Sequence, residues 1–480
     1  MPLLRFLLLP VLVAGLAFFA SAQEEPDLPE GLGEPPELPA GLDGDDEPAD
    51  EPDLPDGLVD DAPPPDEPQE HRKTLRDILD LTGFLEVRGG LRTQRDHYEK
   101  DASIGETRLH LETEKRGATS GIEAAADFLY DPVLNRPDID LEDGQGWIDL
   151  RAANAYFTPV PSMDIKIGRQ ILTWGTGDLL FINDLFPKDW VSFFIGRDVE
   201  YLKAPSDAAK VSLFGEHVNL DVVYTPQFDP DRFITGRRIS YYNSTLGRIA
   251  GRDAVVQPQT PDAAFRDDEA AVRLYRNIAA YELALYGYHG FWKTPAGQNA
   301  AGTRATFPRL SVYGASVRGP LRKGIGNAEI GYYDSEQDRS GSDPLVRNSE
   351  LRMLLGYEQD LPRIAKDFTL GAQYYLERMM DHRAYHRTLP AGTPAKDRDR
   401  HVFTLRLTRL LWQQNLKLSL FTFYSPSDSD AYVRPNANYK INDHWSVEVG
   451  GNVFAGRHRT TFFGQFENNS NAYAAMRYGF

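Results

Sequence analysis

The stretch Gly83-Phe84-Leu85-Glu86-Val87-Arg88-Gly89-Gly90-Leu91-Arg92 alternates with a period of two. Leu85, Val87, Gly89 and Leu91 fall on one face and Glu86, Arg88, Gly90 and Arg92 on the other, the spacing of a strand rather than a helix. The pattern recurs downstream. Leu109 and Leu111 alternate with Arg108, His110 and Glu112; Leu351, Met353, Leu355 and Tyr357 with Glu350, Arg352 and Glu358; Phe368, Leu370, Ala372, Tyr374 and Leu376 with Thr369, Gln373, Tyr375 and Glu377. Residues 416–424 and 447–453 are built alike.

One apolar and one charged face suit either a half-exposed soluble sheet or a barrel with lipid outside and water inside. The connections separate the two. Short links at residues 116–120, 158–162, 215–217, 320–324 and 412–415 alternate with long ones at 131–146, 173–206, 226–268, 292–306, 334–348 and 379–400. Short turns at one rim and long loops at the other are the habit of transmembrane barrels, whose closure removes the edges that lipid cannot satisfy. The expected fold is therefore all-β, a transmembrane antiparallel β-barrel of about 18 strands (16 as the alternative). It should run over residues 83–480, behind a disordered acidic N-terminal extension.

Composition narrows the function. The 480 residues include no cysteine, which removes disulfides, thiolate metal sites and a cysteine nucleophile. A mean hydropathy of −0.46 excludes a bundle of membrane helices. The net charge of −19 is local: residues 24–70 hold 19 acids and no Lys or Arg, whereas from His71 onward 51 bases meet 52 acids. Nucleic acid is not an expected partner, since phosphate binding needs surplus cations.

Four segments are expected. Residues 1–22 have the charged head, apolar run and Ala20-Ser21-Ala22 cleavage site of a secretory signal peptide. Residues 23–70 form an acidic Pro-rich tether with 12 prolines and no aromatic residue, too polar to offset the entropy of ordering. It repeats Asp27-Leu28-Pro29-Glu30-Gly31-Leu32 at residues 37–42 and 53–58. These units are either a solvated linker or docking sites for a periplasmic partner. Residues 71–82 lead in, and 83–480 are the barrel.

Two stretches carry a family likeness. The last strand alternates Ala472, Ala474, Met476, Tyr478 and Phe480, and resembles the C-terminal signature read by the assembly machinery of Gram-negative outer membranes. Asp164-Ile165-Lys166-Ile167-Gly168-Arg169-Gln170-Ile171-Leu172-Thr173-Trp174-Gly175, a strand bearing Ile-Gly-Arg-Gln that enters a Gly-rich acidic loop, resembles porin-like and alginate-export-type barrels. The likeness implies a cell outer-membrane location, a lipid bilayer around the barrel and a channel for small polar or charged solutes. An export conduit docking a periplasmic partner through the tether is the alternative, and a barrel hydrolase the second. No catalysis is expected: His97, His110, His289, His401 and His458 are scattered without a serine nucleophile motif. His382 and His386 have the i, i+4 spacing of a helical metal site but fall in a Gly/Pro-bearing loop, so they read as plain surface histidines. No cofactor is implied.

The loop after residue 173 is too apolar for an external connection. Leu179-Leu180-Phe181-Ile182, Leu185-Phe186, Trp190-Val191 and Phe193-Phe194-Ile195 are interleaved with Asp178, Asp184 and Asp189. The expectation is that it folds into the lumen as a constriction, its aspartates opposite wall arginines such as Arg88, Arg108, Arg151 and Arg169. Strict alternation would turn Arg169 towards lipid, at roughly 2–4 kcal/mol for mid-membrane depth. A bulge near Gly168 is therefore expected to return it to the lumen.

Overall fold

A computed structural model describes residues 80–134, 138–142, 144–390 and 393–480. The expected signal peptide and tether lie outside the described residues. Eighteen antiparallel strands form one sheet: β1 (Leu81–Arg92), β2 (Ala102–Arg116), β3 (Ser120–Tyr130), β4 (Ile148–Val160), β5 (Met163–Ile171), β6 (Pro205–Phe214), β7 (Asn219–Thr225), β8 (Glu269–Ile278) and β9 (Tyr281–Phe291). There follow β10 (Arg309–Leu321), β11 (Gly324–Ser335), β12 (Glu350–Asp360), β13 (Phe368–Met379), β14 (Asp399–Leu411), β15 (Leu416–Ser425), β16 (Asp430–Lys440), β17 (Trp445–Gly456) and β18 (Asn471–Gly479). The first strand begins at Leu81 rather than Gly83, because Leu81 and Thr82 already pair with Thr113 and Glu112 of β2.

The sheet closes on itself. β18 pairs with β1 from Tyr478 opposite Leu85 to Asn471 opposite Arg92. The final residue completes the seam, with Gly83 N donating to Phe480 O at 3.1 Å and Phe480 N to Gly83 O at 3.0 Å. Closure leaves no unpaired edge, so the backbone can cross lipid.

Polarity is inverted relative to a water-soluble protein. On β1, Leu85, Val87 and Leu91 are 43%, 55% and 64% exposed, whereas Glu86 and Arg88 are 4% and 1% exposed. Apolar side chains point out and charged ones in, the arrangement lipid imposes on a barrel. The protein is a transmembrane β-barrel.

At one end the strands are joined by links of two to seven residues, including the two-residue turns Ala279-Ala280 and Arg322-Lys323, with Ala279 and Arg322 at positive φ as tight hairpins require. The other end carries the long connections at residues 93–101, 131–147, 172–204, 226–268, 292–308, 336–349, 380–398 and 457–470, and one short one at 426–429. Among the described residues of these loops are two short α-helices, α1 (Trp190–Ile195) and α2 (His382–Thr388).

Candidate functional site

Inside the barrel the segment 172–204 lies against the wall, and its three parts are held by different chemistry. The first part is seated on one carboxylate. Glu329, inward on β11, accepts from Gly177 N at 2.7 Å, Asn183 Nδ2 at 3.0 Å, Asn183 N at 3.3 Å and Thr176 N. Beside it Tyr333 Oη donates to Ile182 O at 2.5 Å. Four amide donors satisfy a buried carboxylate without a cation.

The middle part is α1. Asp189 caps it, accepting from Ser192 N at 2.7 Å and Ser192 Oγ at 2.7 Å. The rings of Phe193 and Phe194 stand 5.6 and 5.5 Å from Tyr432 on β16, and Phe194 is 5.2 Å from Phe454 on β17. Both phenylalanines are buried. Each such side chain contributes about 1.5–3 kcal/mol, which fixes the segment to the wall. Gly196 ends the helix at φ 91°, a left-handed conformation in which its carbonyl accepts from Arg88 Nη1 at 2.7 Å.

The third part meets the arginines. Arg197 Nε donates to Glu106 Oε2 at 2.9 Å. The Tyr201 ring lies under the guanidinium carbon of Arg108 at 3.9 Å and that of Arg151 at 4.9 Å. Arg151 Nη2 donates to Lys203 O at 2.8 Å. The same arginines are tied to the wall: Arg88 to Glu86 and Glu448, each at 2.8 Å, and Arg108 to Glu106 at 2.7 Å and to Asp127.

Arg88, Arg108 and Arg151 thus face the lumen and touch the inserted segment, but none of them pairs with the three aspartates, of which only Asp178 meets a wall arginine. Asp178 meets Arg406 of β14 at 3.1 Å. Asp184 accepts from Lys188 Nζ at 2.9 Å and Thr173 Oγ1 at 2.8 Å. Asp189 faces Arg232 at 3.5 Å. Arg169 stands apart from all of them. Gly168 is distorted to φ 117°, yet the pairing Ala153–Arg169–Asp207 continues unbroken across β4, β5 and β6, with no bulge at that point. Arg169 therefore keeps the outward phase of Ile167 and Ile171, both exposed. It is neutralised at the loop rim by Asp207 at 2.6 Å and Glu142 at 2.8 Å.

A second loop also folds inward, which the sequence reading missed. Asp231 accepts from Lys188 N and Trp190 Nε1, each at 2.8 Å. Arg232 binds Asp149 of β4 through both terminal nitrogens, at 2.9 and 3.0 Å, while facing Asp189. Wall, first loop and second loop are joined through that one guanidinium. A signal was present: Phe228, Phe233, Ile234 and Ile239 are interleaved with Asp229, Asp231, Arg232, Arg237 and Arg238, as in the first loop. Glu329 and Tyr201 had no distinguishing signal, because their roles depend on where the loop lands.

The two loops divide the upper lumen. A cavity of about 470 Å³ lies on the β2–β4 side, lined by Glu106, Asp189, Arg197, Arg232 and Arg237. A second, of about 350 Å³, runs between α1 and the opposite wall. Its plug side is apolar (Leu179, Phe181, Trp190, Phe193) and its wall side bears Arg352, Tyr375, Glu377 and Arg400.

One anchor responds to pH. Asp229, in the second loop, is buried and held by Ser206 Oγ and by Asp207 N at 3.1 Å, with Lys293, Glu269 and Glu142 nearby. Burial pushes its carboxyl up to about 7; the Ser206 bond and Lys293 oppose the shift, and Glu269 and Glu142 add to it. The folded protein therefore favours the protonated form. The resulting stability is full below the unfolded value of about 3.9 and is lost as pH rises through about 7. Thermal unfolding should show a lower midpoint at pH 8 than at pH 6, and Asp229→Asn should flatten the difference. An equal pH dependence in both proteins would place the titrating group elsewhere.

No family model and no curated protein matches the chain. Solved structures do. OccAB4 of Acinetobacter baumannii matches with a TM-score of 0.51 at 9% identity, over 83% of this chain and 97% of that one. OccAB3 of the same species matches at 0.49 and 12% identity, over 84% and 99%. A triple mutant of Rhodopseudomonas blastica porin matches at 0.37 and 10% identity, over 83% and 99%. At these identities the likeness is one of fold alone, a closed β-barrel like that of OccAB4.

Proposed function

We propose that the protein is a channel of the Gram-negative outer membrane that passes small polar or charged solutes through the gap beside its inserted loops. The observation that carries this reading is a closed barrel whose interior is narrowed by folded loops and lined by paired charges, with a cavity left between plug and wall. Opposed charges across a narrow aqueous gap select solutes by charge and dipole. In this reading Arg88, Arg108 and Arg151 hold the constriction in place, and Asp178, Asp184 and Asp189 lie on the inserted segment itself. The C-terminal strand ending at Phe480 would serve recognition by the assembly machinery. The alginate-export resemblance of residues 164–175 and the acidic tether would suit an export conduit with a periplasmic partner.

The hydrolase reading gains nothing at His110. His110 Nδ1 lies 2.6 Å from Asp127, but its other nitrogen faces Glu112 at 3.7 Å rather than a serine hydroxyl. Reconstitution of the full mature chain into planar bilayers tests the proposal. Discrete current steps from the purified protein, with block by a permeant solute, are expected. A bilayer that conducts only after a periplasmic fraction is added would replace the diffusion channel with the docked conduit.

A further inference from the structure

The connection between β13 and β14 is not featureless. It forms α2, so the i, i+4 spacing of His382 and His386 places both imidazoles on one face, one turn apart. Their ring centroids are 4.6 Å apart, edge to face. The helix is pinned to the returning chain at two points: His382 Nε2 lies 2.9 Å from Lys396 O, and Lys396 N donates to the Tyr385 hydroxyl at 3.2 Å. The first contact sets the tautomer. A ring nitrogen that faces a carbonyl carries the proton, which leaves Nδ1 of His382 with a free lone pair. A backbone carbonyl on the far nitrogen is also the support that metal-ligating histidines ordinarily have. His386 is exposed, so its ring can be approached from solvent.

We propose that His382 and His386 form a binding site for a divalent transition-metal ion of the zinc, nickel or copper type at the long-loop mouth of the barrel. Imidazole pairs select these ions, whereas magnesium and calcium require oxygen ligands. Among the described residues no group of three or more His, Asp or Glu side chains is placed to enclose an ion. The two histidines therefore chelate one side of the metal, and water or a ligand that the metal carries fills its other positions. The site is independent of solute passage and needs only the helix and its Lys396 contact.

The test is calorimetric titration of the untagged full mature chain in detergent with zinc chloride and, separately, nickel chloride. Saturable binding of one ion per chain is expected, with no response to magnesium chloride. His382→Ala and His386→Ala should each weaken binding by at least about tenfold, and the double variant should abolish it. His458→Ala, an exposed histidine in another loop, should leave it unchanged. Heat-modifiable migration of each variant verifies that the barrel is folded. Absence of saturable binding to the wild type, or binding that survives in the double variant, overturns the proposal.

Discussion

Excision of residues 179–194 is expected to raise the single-channel conductance several-fold while leaving a heat-modifiable barrel. The segment contributes no strand to the sheet, so every inter-strand ladder survives its removal. What disappears is the apolar mass of Phe181, Phe186, Trp190, Phe193 and Phe194, which lines the cavity of about 350 Å³. Most wall charges keep partners after the excision: Arg88 retains Glu86 and Glu448, and Arg108 retains Glu106 and Asp127. Glu329 keeps Thr176 and Gly177 and exchanges its Asn183 donors for lumen water. Planar-bilayer recordings of wild type and deletion, under identical salt, provide the measurement. A conductance equal to that of the wild type would mean that these residues do not narrow the conducting path.

The barrel was legible because lipid and water on opposite faces force every strand into period two, and because turn lengths alternate between rims. Leu85, Val87 and Leu91 against Glu86 and Arg88 state the rule in one strand. The inward placement of Arg88 and Arg108 followed from phase alone, whereas Arg151 is turned inward by a bulge, the register with β3 shifting between Ala125 and Ala126. The partners of all three did not follow from phase, since Gly196, Tyr201 and Lys203 reach them only through the path of a 33-residue loop. Arg169 shows the opposite failure. Alternation placed it outward, and the bulge was invoked to spare a charge at mid-membrane depth. β5 ends two residues later at Ile171, so Arg169 sits at the rim, where Asp207 and Glu142 neutralise it. Near the interface the cost of a lipid-facing arginine falls to about 0–1 kcal/mol. For His382 and His386 the nearby Gly and Pro suggested a loop, yet the residues between them include none, and the local sequence His-Arg-Ala-Tyr-His-Arg-Thr folds as a helix.

Arg232→Ala is expected to loosen the plug while sparing the barrel. The guanidinium is buried between Asp149 on β4 and Asp189 at the head of α1, both also buried, and it donates to Glu142 O at 3.3 Å. Truncating one member of a buried ion pair costs about 3–5 kcal/mol, because the remaining carboxylates stay desolvated without their main cation; Asp149 keeps Arg151 at 3.7 Å and Asp189 keeps Ser192. Here two carboxylates are left together, so repulsion adds to the loss; water entering from the adjacent cavity offsets part of it. A net effect of about 3 kcal/mol corresponds to roughly a hundredfold more frequent local opening. Strand amides are held by ladders that the substitution does not touch. Hydrogen exchange should therefore accelerate at the amides of residues 188–203 and stay unchanged in β12 to β16. Arg232→Lys keeps the charge but loses the two-pronged grip on Asp149, and should fall between the two proteins. Arg232→Met combined with Asp149→Asn removes the charge and its main partner together, and should recover much of the lost protection. If exchange at residues 188–203 in Arg232→Ala matches the wild type, the plug is latched by Glu329 and the phenylalanine contacts, and Arg232 is incidental to it.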